Sequence, residues 1–119
     1  PADYVGTLRG GRSLVVEAKS VDGRLSLAHV APHQRAHLDA CAALGGLALL
    51  AVELRGKGVY VVEWATAPWR VTTRVVREVV EVDGRKVTVE RTVESRTLGA
   101  EELAGHRAAE GCYLRKWAR

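Results

Sequence analysis

A mixed α/β fold is the class predicted by this sequence, and three observations point to it. Apolar runs of strand character at 4–9, 12–20, 47–54 and 59–65 bracket one stretch of helical spacing, 32–44. Leu47 to Leu54 is nearly continuous aliphatic, the pattern of a strand buried on both faces. From Val71 to Val93, Val and Thr alternate with Arg and Glu around Asp83-Gly84, a strong hairpin signal. The order strand, strand, helix, strand, strand excludes a solenoid, a sandwich or a bundle. It leaves a mixed central β-sheet flanked by helices, with an added β-hairpin near residues 71–93.

Each element has its local reason. Tyr4 to Arg9 is a short strand, and Gly10-Gly11 turns the chain into a second strand, Arg12 to Ser20. Val21-Asp22-Gly23-Arg24 is a turn, and Leu25 to Val30 is irregular or briefly extended. Pro32 suits the first position of a helix that runs through Leu44, with Ala36, Leu38, Cys41, Ala42 and Leu44 as its apolar stripe. Gly45-Gly46 ends it. Arg55-Gly56-Lys57-Gly58 turns into the strand Val59 to Ala65. A two-residue turn at Asp83-Gly84 sets Glu81 against Lys86 and Arg77 against Glu90, two opposite-charge pairs on one register. This ribbon has few large apolar groups and is expected to project from the core. Ala100 to Ala109 reads as helical, and Tyr113 to Arg119 is basic and aromatic. The chain divides into a core at 1–69, a β-ribbon at 70–95, and a C-terminal helix and tail at 96–119.

The length, 119 residues, suits one domain with its own core. Phe and Met are absent, so Val, Leu and Ala fill the interior around Trp64, Trp69 and Trp117. No apolar stretch reaches the length of a membrane span, and Pro1 opens no signal peptide. The chain reads as cytoplasmic, of cellular or viral origin alike, and its start at Pro1 reads as the continuation of a longer protein. Net charge is +4, carried mostly by Arg, whose guanidinium fork suits phosphate oxygens. The Arg preference also reads as genome composition or heat adaptation. Cys41 and Cys112 lack metal-site spacing; Cys41 reads as a small buried apolar residue, and a Cys41–Cys112 disulfide is disfavoured in the cytosol.

The chemistry concentrates in Ser13-Leu14-Val15-Val16-Glu17-Ala18-Lys19-Ser20. Strand alternation puts Val15, Glu17 and Lys19 on one face and Leu14, Val16 and Ala18 on the other. An acid and a base on an otherwise buried strand cost several kcal/mol, roughly, unless paired or metal-bound. With Asp3 just upstream, the arrangement points to a divalent-metal nuclease site. Taken singly, Glu17 and Lys19 also read as a surface pair, and Asp3 as a cap on a fraying terminus.

Pro1-x-Asp3 followed by Glu17-x-Lys19 on the next strand resembles the PD-(D/E)xK nuclease superfamily. The longer text is similar to Holliday junction resolvases of the archaeal Hjc and bacterial RecU kind: Gly10-Gly11-Arg12-Ser13, Glu17-Ala18-Lys19-Ser20, His33-Gln34, then Gly45-Gly46-Leu47-Ala48-Leu49-Leu50. The likeness covers roughly residues 1–65. It implies a restriction-endonuclease-like core and a Mg²⁺-dependent endonuclease, with Mn²⁺ able to substitute, that resolves four-way-junction DNA as a homodimer. By resemblance, Asp3, Glu17 and the Ala18 backbone carbonyl hold the metal, Lys19 acts on the water and the developing phosphorane charge, and Gln34 hydrogen-bonds the water or the site backbone. The further acidic residue that such resolvases carry on a helix preceding Pro-x-Asp has no counterpart in these residues.

DNA contacts are expected from Arg9, Arg12, Ser20 and His33 around the site, and from Arg74, Arg77, Arg85 and Lys86 on the ribbon. Ribbon residues Arg70 and Arg91 are open to the same reading, or to a partner subunit. The plain alternative is a solvated hairpin laced with salt pairs. His29 and His37 read as surface groups, and Trp64 and Trp69 as core or interface residues. Two functions compete with junction resolution: another PD-(D/E)xK endonuclease, restriction- or repair-like, and a non-catalytic branched-DNA-binding module.

Overall fold

In the computed structural model, which describes residues 3–108, the chain is mixed α/β and mostly strand. Strands β1 (Tyr4–Thr7), β2 (Ser13–Val21), β4 (Leu47–Leu54) and β5 (Gly58–Glu63) form one sheet in the order β1-β2-β4-β5. β1 and β5 run antiparallel to their neighbours, and β2 runs parallel to β4 over eight paired positions, Leu14↔Leu47 to Val21↔Leu54. The parallel pair requires a crossover, supplied by helix α1 (Pro32–Ala43). A second sheet, β3-β7-β6, holds β3 (Leu25–Ser26), β7 (Arg85–Leu98) and β6 (Arg70–Val82).

The core sits where α1 meets the first sheet. Val15, Leu38, Cys41, Leu50, Val52, Leu54 and Val62 pack together with Leu25, Leu98 and Leu103, which join the second sheet and the C-terminal turn to the same cluster. Leu14, Val16 and Ala51 form a smaller cluster on the opposite face, with Leu47 and Leu49 against it. β4 is therefore apolar toward both faces, as its continuous aliphatic run requires. Trp64 and Trp69 meet edge to face at 6.1 Å beside the core, and the Trp64 indole donates to Asp39 Oδ1 at 2.7 Å.

Glycine sets two of the turns. Gly46 N donates to Cys41 O at 2.9 Å and Gly45 N to Ala42 O at 3.1 Å, the double closure of a Schellman cap. Gly45 has φ +82°, and a Cβ on Gly46 would lie 2.9 Å from the Cys41 carbonyl oxygen. At the ribbon tip, Asp83 (φ 52°) and Gly84 (φ 75°) are both left-handed, the type I′ geometry whose twist matches a hairpin. That turn gives the expected register, with Glu81↔Lys86 and Arg77↔Glu90.

Several boundaries differ from expectation. The first strand stops at Thr7, and the second is shifted by one residue, to Ser13–Val21. The helix ends at Ala43, leaving Leu44 as its cap. The strand expected at 59–65 ends at Glu63, where Trp64–Thr66 turn as a 3₁₀ segment. The ribbon is not a lone hairpin: Leu25 and Ser26 pair with Leu98 and Thr97 at its base, which extends it to Arg70–Leu98. The helix expected at 100–109 shortens to α2 (Ala100–Leu103) and a 3₁₀ turn, Ala104–His106, since Gly105 favours no helix. Arg24 ion-pairs with Glu102 and donates to Thr97 Oγ1 at 3.0 Å, so one side chain ties the ribbon base to α2. Pro1, Cys112 and the tail at 113–119 lie outside the described residues. Among those described, no helix is long and apolar enough to cross a membrane.

Leu38 is fully buried between α1 and the sheet, whereas Leu44 is 89 % exposed. Leu38→Ala is expected to cost about 2–5 kcal/mol through the cavity it leaves. Leu44→Ala is expected to stay within about 0.5 kcal/mol. Urea midpoints of the two variants check both values.

Candidate active site

The site grows out of an interruption in the first sheet. β1 pairs with β2 from Thr7↔Ser13 up to Tyr4↔Val16. The residue before Tyr4 is Asp3, and its side chain takes over where the backbone ladder ends: Asp3 Oδ2 accepts a hydrogen bond from Ala18 N at 2.8 Å. In a strand, one residue's N–H and C=O point to the same side. The Ala18 carbonyl therefore faces the gap that Asp3 enters, beyond the last β1 pair.

Glu17 precedes it on β2, opposite Leu50 of β4 and on the same strand face as Val15. It is 0 % exposed and is the only buried charged residue among those described. Among the described residues, neither carboxyl oxygen accepts a hydrogen bond from an N–H or O–H donor, and its polar neighbour is the Asp3 carboxyl. Such atoms are uncommon in folded proteins because an unmatched polar group loses its hydration for nothing in return. Burial pushes the Glu17 carboxyl above its ordinary pKa; the neighbouring Asp3 charge and a carboxyl–carboxyl contact push the same way, and Lys19 opposes them. Asp3 and Glu17 thus converge, one from each of two adjoining strands.

Lys19 lies two residues on, half-buried and on the Glu17 face. Its Nζ donates to Gln34 Oε1 at 2.9 Å. Gln34 is the third residue of α1, and the same oxygen accepts from Ala31 N at 2.9 Å, closing the helix start. One amide oxygen therefore joins the helix N-terminus to the lysine, which fixes the amide with its NH₂ group turned away from Lys19. The bond from Ala31 N is the helix's own capping contact, and the bond from Lys19 exists only because the docked helix brings the two side chains together.

The arrangement has a definite chemical capacity. Two carboxylates and a strand carbonyl are hard oxygen donors, which suit Mg²⁺ better than a soft or nitrogen-seeking metal. Glu17's two orphaned oxygens fit such an ion, since a cation would satisfy both. Among the described residues, no group of three or more His, Cys, Asp or Glu converges, so the acidic set is this pair.

The expected DNA contacts separate into engaged and open residues. Arg12 Nε donates to Gly45 O at 3.0 Å and so completes the cap of α1. Ser20 Oγ donates to Glu53 Oε1 at 2.6 Å. Arg77 pairs with Glu90 at 3.1 Å, as the register requires. His33, at the second position of α1, is exposed, as are Arg9 in the first turn and Arg74, Arg85 and Lys86 on the ribbon. His29 is exposed, with its Nδ1 accepting from Ser26 N at 2.9 Å. Comparisons with family models, with curated proteins and with solved structures return no match.

A carboxyl whose pKa is raised by folding stabilises the fold while protonated in both states. That contribution is lost as pH rises through the folded-state value. Without divalent cation, the wild type is expected to lose stability between mildly acidic and mildly alkaline pH. Glu17→Gln is expected to lose less over the same interval. Urea midpoints at the two pH values in chelator, compared within each protein, give the difference; equal slopes would remove Glu17 as the cause.

Proposed function

We propose that this chain is a metal-dependent endonuclease with a restriction-endonuclease-like core, selective for four-way DNA junctions. The observation that carries the reading is Glu17: a buried carboxylate without an N–H or O–H donor among the described residues, next to Asp3, with a positioned lysine two residues along the strand. A purely structural strand has no use for that combination, which costs stability and satisfies nothing. Further support comes from its setting: Asp3 just before β1, Glu17 on β2, the crossover helix α1 with the glutamine at its start, and β4 and β5 after it.

Asp3, Glu17 and the Ala18 carbonyl would hold the Mg²⁺. When bound, such an ion supplies Lewis acidity toward a phosphoryl oxygen and lowers the pKa of water. The protein's own groups do the rest. Lys19 orients the attacking water, takes up its proton when neutral, and when charged offsets negative charge gathering on phosphorus. Gln34 is a positioning residue that holds the Lys19 ammonium at 2.9 Å through a carbonyl anchored on the helix N-terminus. Exposed Arg9 and His33 are available to phosphates flanking the cut. A junction presents two matched strands, so two copies related by a two-fold axis answer it.

A second reading has a specific observation behind it. The described acidic set stops at two carboxylates, which suits a branched-DNA-binding module that keeps the fold without cleaving. The assay that separates the readings is Mg²⁺-dependent nicking of a fixed four-way junction against linear duplex of equal length and salt. Asp3→Ala, Glu17→Gln and Lys19→Ala are each expected to lower junction cleavage by at least about a hundredfold with binding retained. Cleavage that prefers linear duplex would replace the junction assignment with a restriction- or repair-like one. Metal-independent binding without cleavage, indifferent to all three substitutions, would favour the module.

A further inference from the structure

Strand β6 is the outer edge of the second sheet. Among the described residues, the order β3-β7-β6 leaves Arg70–Val82 paired on one side only. Its 13 residues, roughly 40 Å of strand at the usual rise, present a row of unpaired backbone N–H and C=O groups. Natural edges are blunted by charged side chains, Lys above all, by Pro or by a bulge. This strand has no Pro and no Lys, and its ladder with β7 runs unbroken from Arg70↔Thr97 to Val82↔Arg85. Of the other edges, β1 and β5 are only 4 and 6 residues long, β5 being bridged by Arg107 and Ala108, while the far side of β7, which β3 meets only at Leu98 and Thr97, carries Lys86 on its open part. A two-stranded ribbon is marginal in water on its own. Here it exposes valines on both faces, among them Val79 (67 %) on one and Val82 (52 %) on the other.

The charges along β6 say what would cover that edge. Arg70, Arg74 and Arg77 occupy its first part, Glu78 and Glu81 its second. A strand polarised in this way is complementary to itself when turned antiparallel. Residues facing each other across a sheet must share a face, so a two-fold partner pairs position with position of like parity. The register centred on Val76 pairs all 13 residues. It sets Arg74 against the partner's Glu78, twice by symmetry, and Val76 against the partner's Val76. Registers centred on Arg74, Arg77 or Glu78 set like charges face to face. Arg74 makes no ion pair within the described residues. Glu78 holds Arg91 at 2.6 Å through Oε1, which leaves its second oxygen for Arg74. The two Arg77 groups lie diagonal to each other across the axis, each countered by its own Glu90 at 3.1 Å.

We infer that β6 pairs antiparallel with β6 of a second copy of this chain about a two-fold axis at Val76, joining the two ribbons into one continuous sheet. Each copy has one β6 edge, and a two-fold contact uses it on both copies at once, so this contact closes at two. The inference stands on the ribbon alone and is independent of the nuclease reading.

Sedimentation velocity of the full chain tests it. The wild type is expected to be a dimer. Arg74→Glu, which sets acid against acid twice, is expected to weaken self-association about tenfold or more with an unchanged circular dichroism spectrum. The combination Arg74→Glu, Glu78→Arg and Arg91→Glu reverses every pair and is expected to restore the dimer. Val76→Cys, in a background carrying Cys41→Ala and Cys112→Ser, is expected to cross-link under mild oxidation. A monomeric wild type overturns the inference, as does a dimer that Arg74→Glu leaves intact and Val76→Cys leaves uncrosslinked. Cleavage assays do not bear on these outcomes, so the two proposals fail separately.

Discussion

A carboxylate held in the interior against its own solvation organises the chemistry of this protein. Glu17 reaches that position because β2 is gripped from both sides, by β1 up to Val16 and by β4 along eight positions. Slipping β2 by one residue would carry Glu17 to the other face of the sheet, so the pairing along β4 fixes where its carboxyl points. The cost falls on a group with no N–H or O–H donor among the described residues to repay it. Either a proton or a cation must neutralise it, and the convergence of Asp3 on the same place adds a second negative charge. A single proton relieves one charge of the pair; a divalent ion relieves both. That difference is the physical case for a metal.

Lys19 fits the same logic from the other side. Its ammonium opposes the upward push on Glu17, yet it donates to the neutral amide of Gln34. A lysine spent on a salt bridge with Glu17 would leave both groups satisfied and inert. Held by an amide, it keeps its charge available. The amide in turn is oriented by Ala31 N, so the docking of α1 on β2 and β4 decides where the ammonium points.

Much of this was legible because it rests on local periodicity. The alternation of Val15, Glu17 and Lys19 against Leu14 and Val16 is a property of any strand, and the structure puts Val15 in one core cluster and Leu14 and Val16 in the other. Pro32, Gly45-Gly46 and Asp83-Gly84 mark backbone states that few other residues adopt, so the helix limits and the hairpin register follow closely. What escaped depends on contacts distant in sequence. β3 is two residues long, too short for any period, and exists only because Leu98 and Thr97 lie beside it. The bonds of Arg12 to Gly45 and of Ser20 to Glu53 each join residues 33 positions apart. The Lys19–Gln34 bond belongs to the same class, since neither residue announces the other.

The ribbon poses the complementary problem, an excess of unmet hydrogen-bonding capacity at the surface instead of the interior. Its cross-strand ion pairs are exposed, and each adds a few tenths of a kcal/mol to about 1 kcal/mol. That is small against the conformational entropy of ordering so long a hairpin, about 1–2 kcal/mol for each residue's backbone. Valine-rich faces that stay wet add little to offset it. Pairing along β6 changes the balance in kind, because the backbone groups of an entire strand acquire partners at once and part of the valine surface leaves water. Charge polarity makes antiparallel self-pairing better than parallel, and the register at Val76 joins two Arg–Glu pairs to full overlap of the strands. A strand evolved only to stay soluble would scatter its arginines and glutamates; this one sorts them.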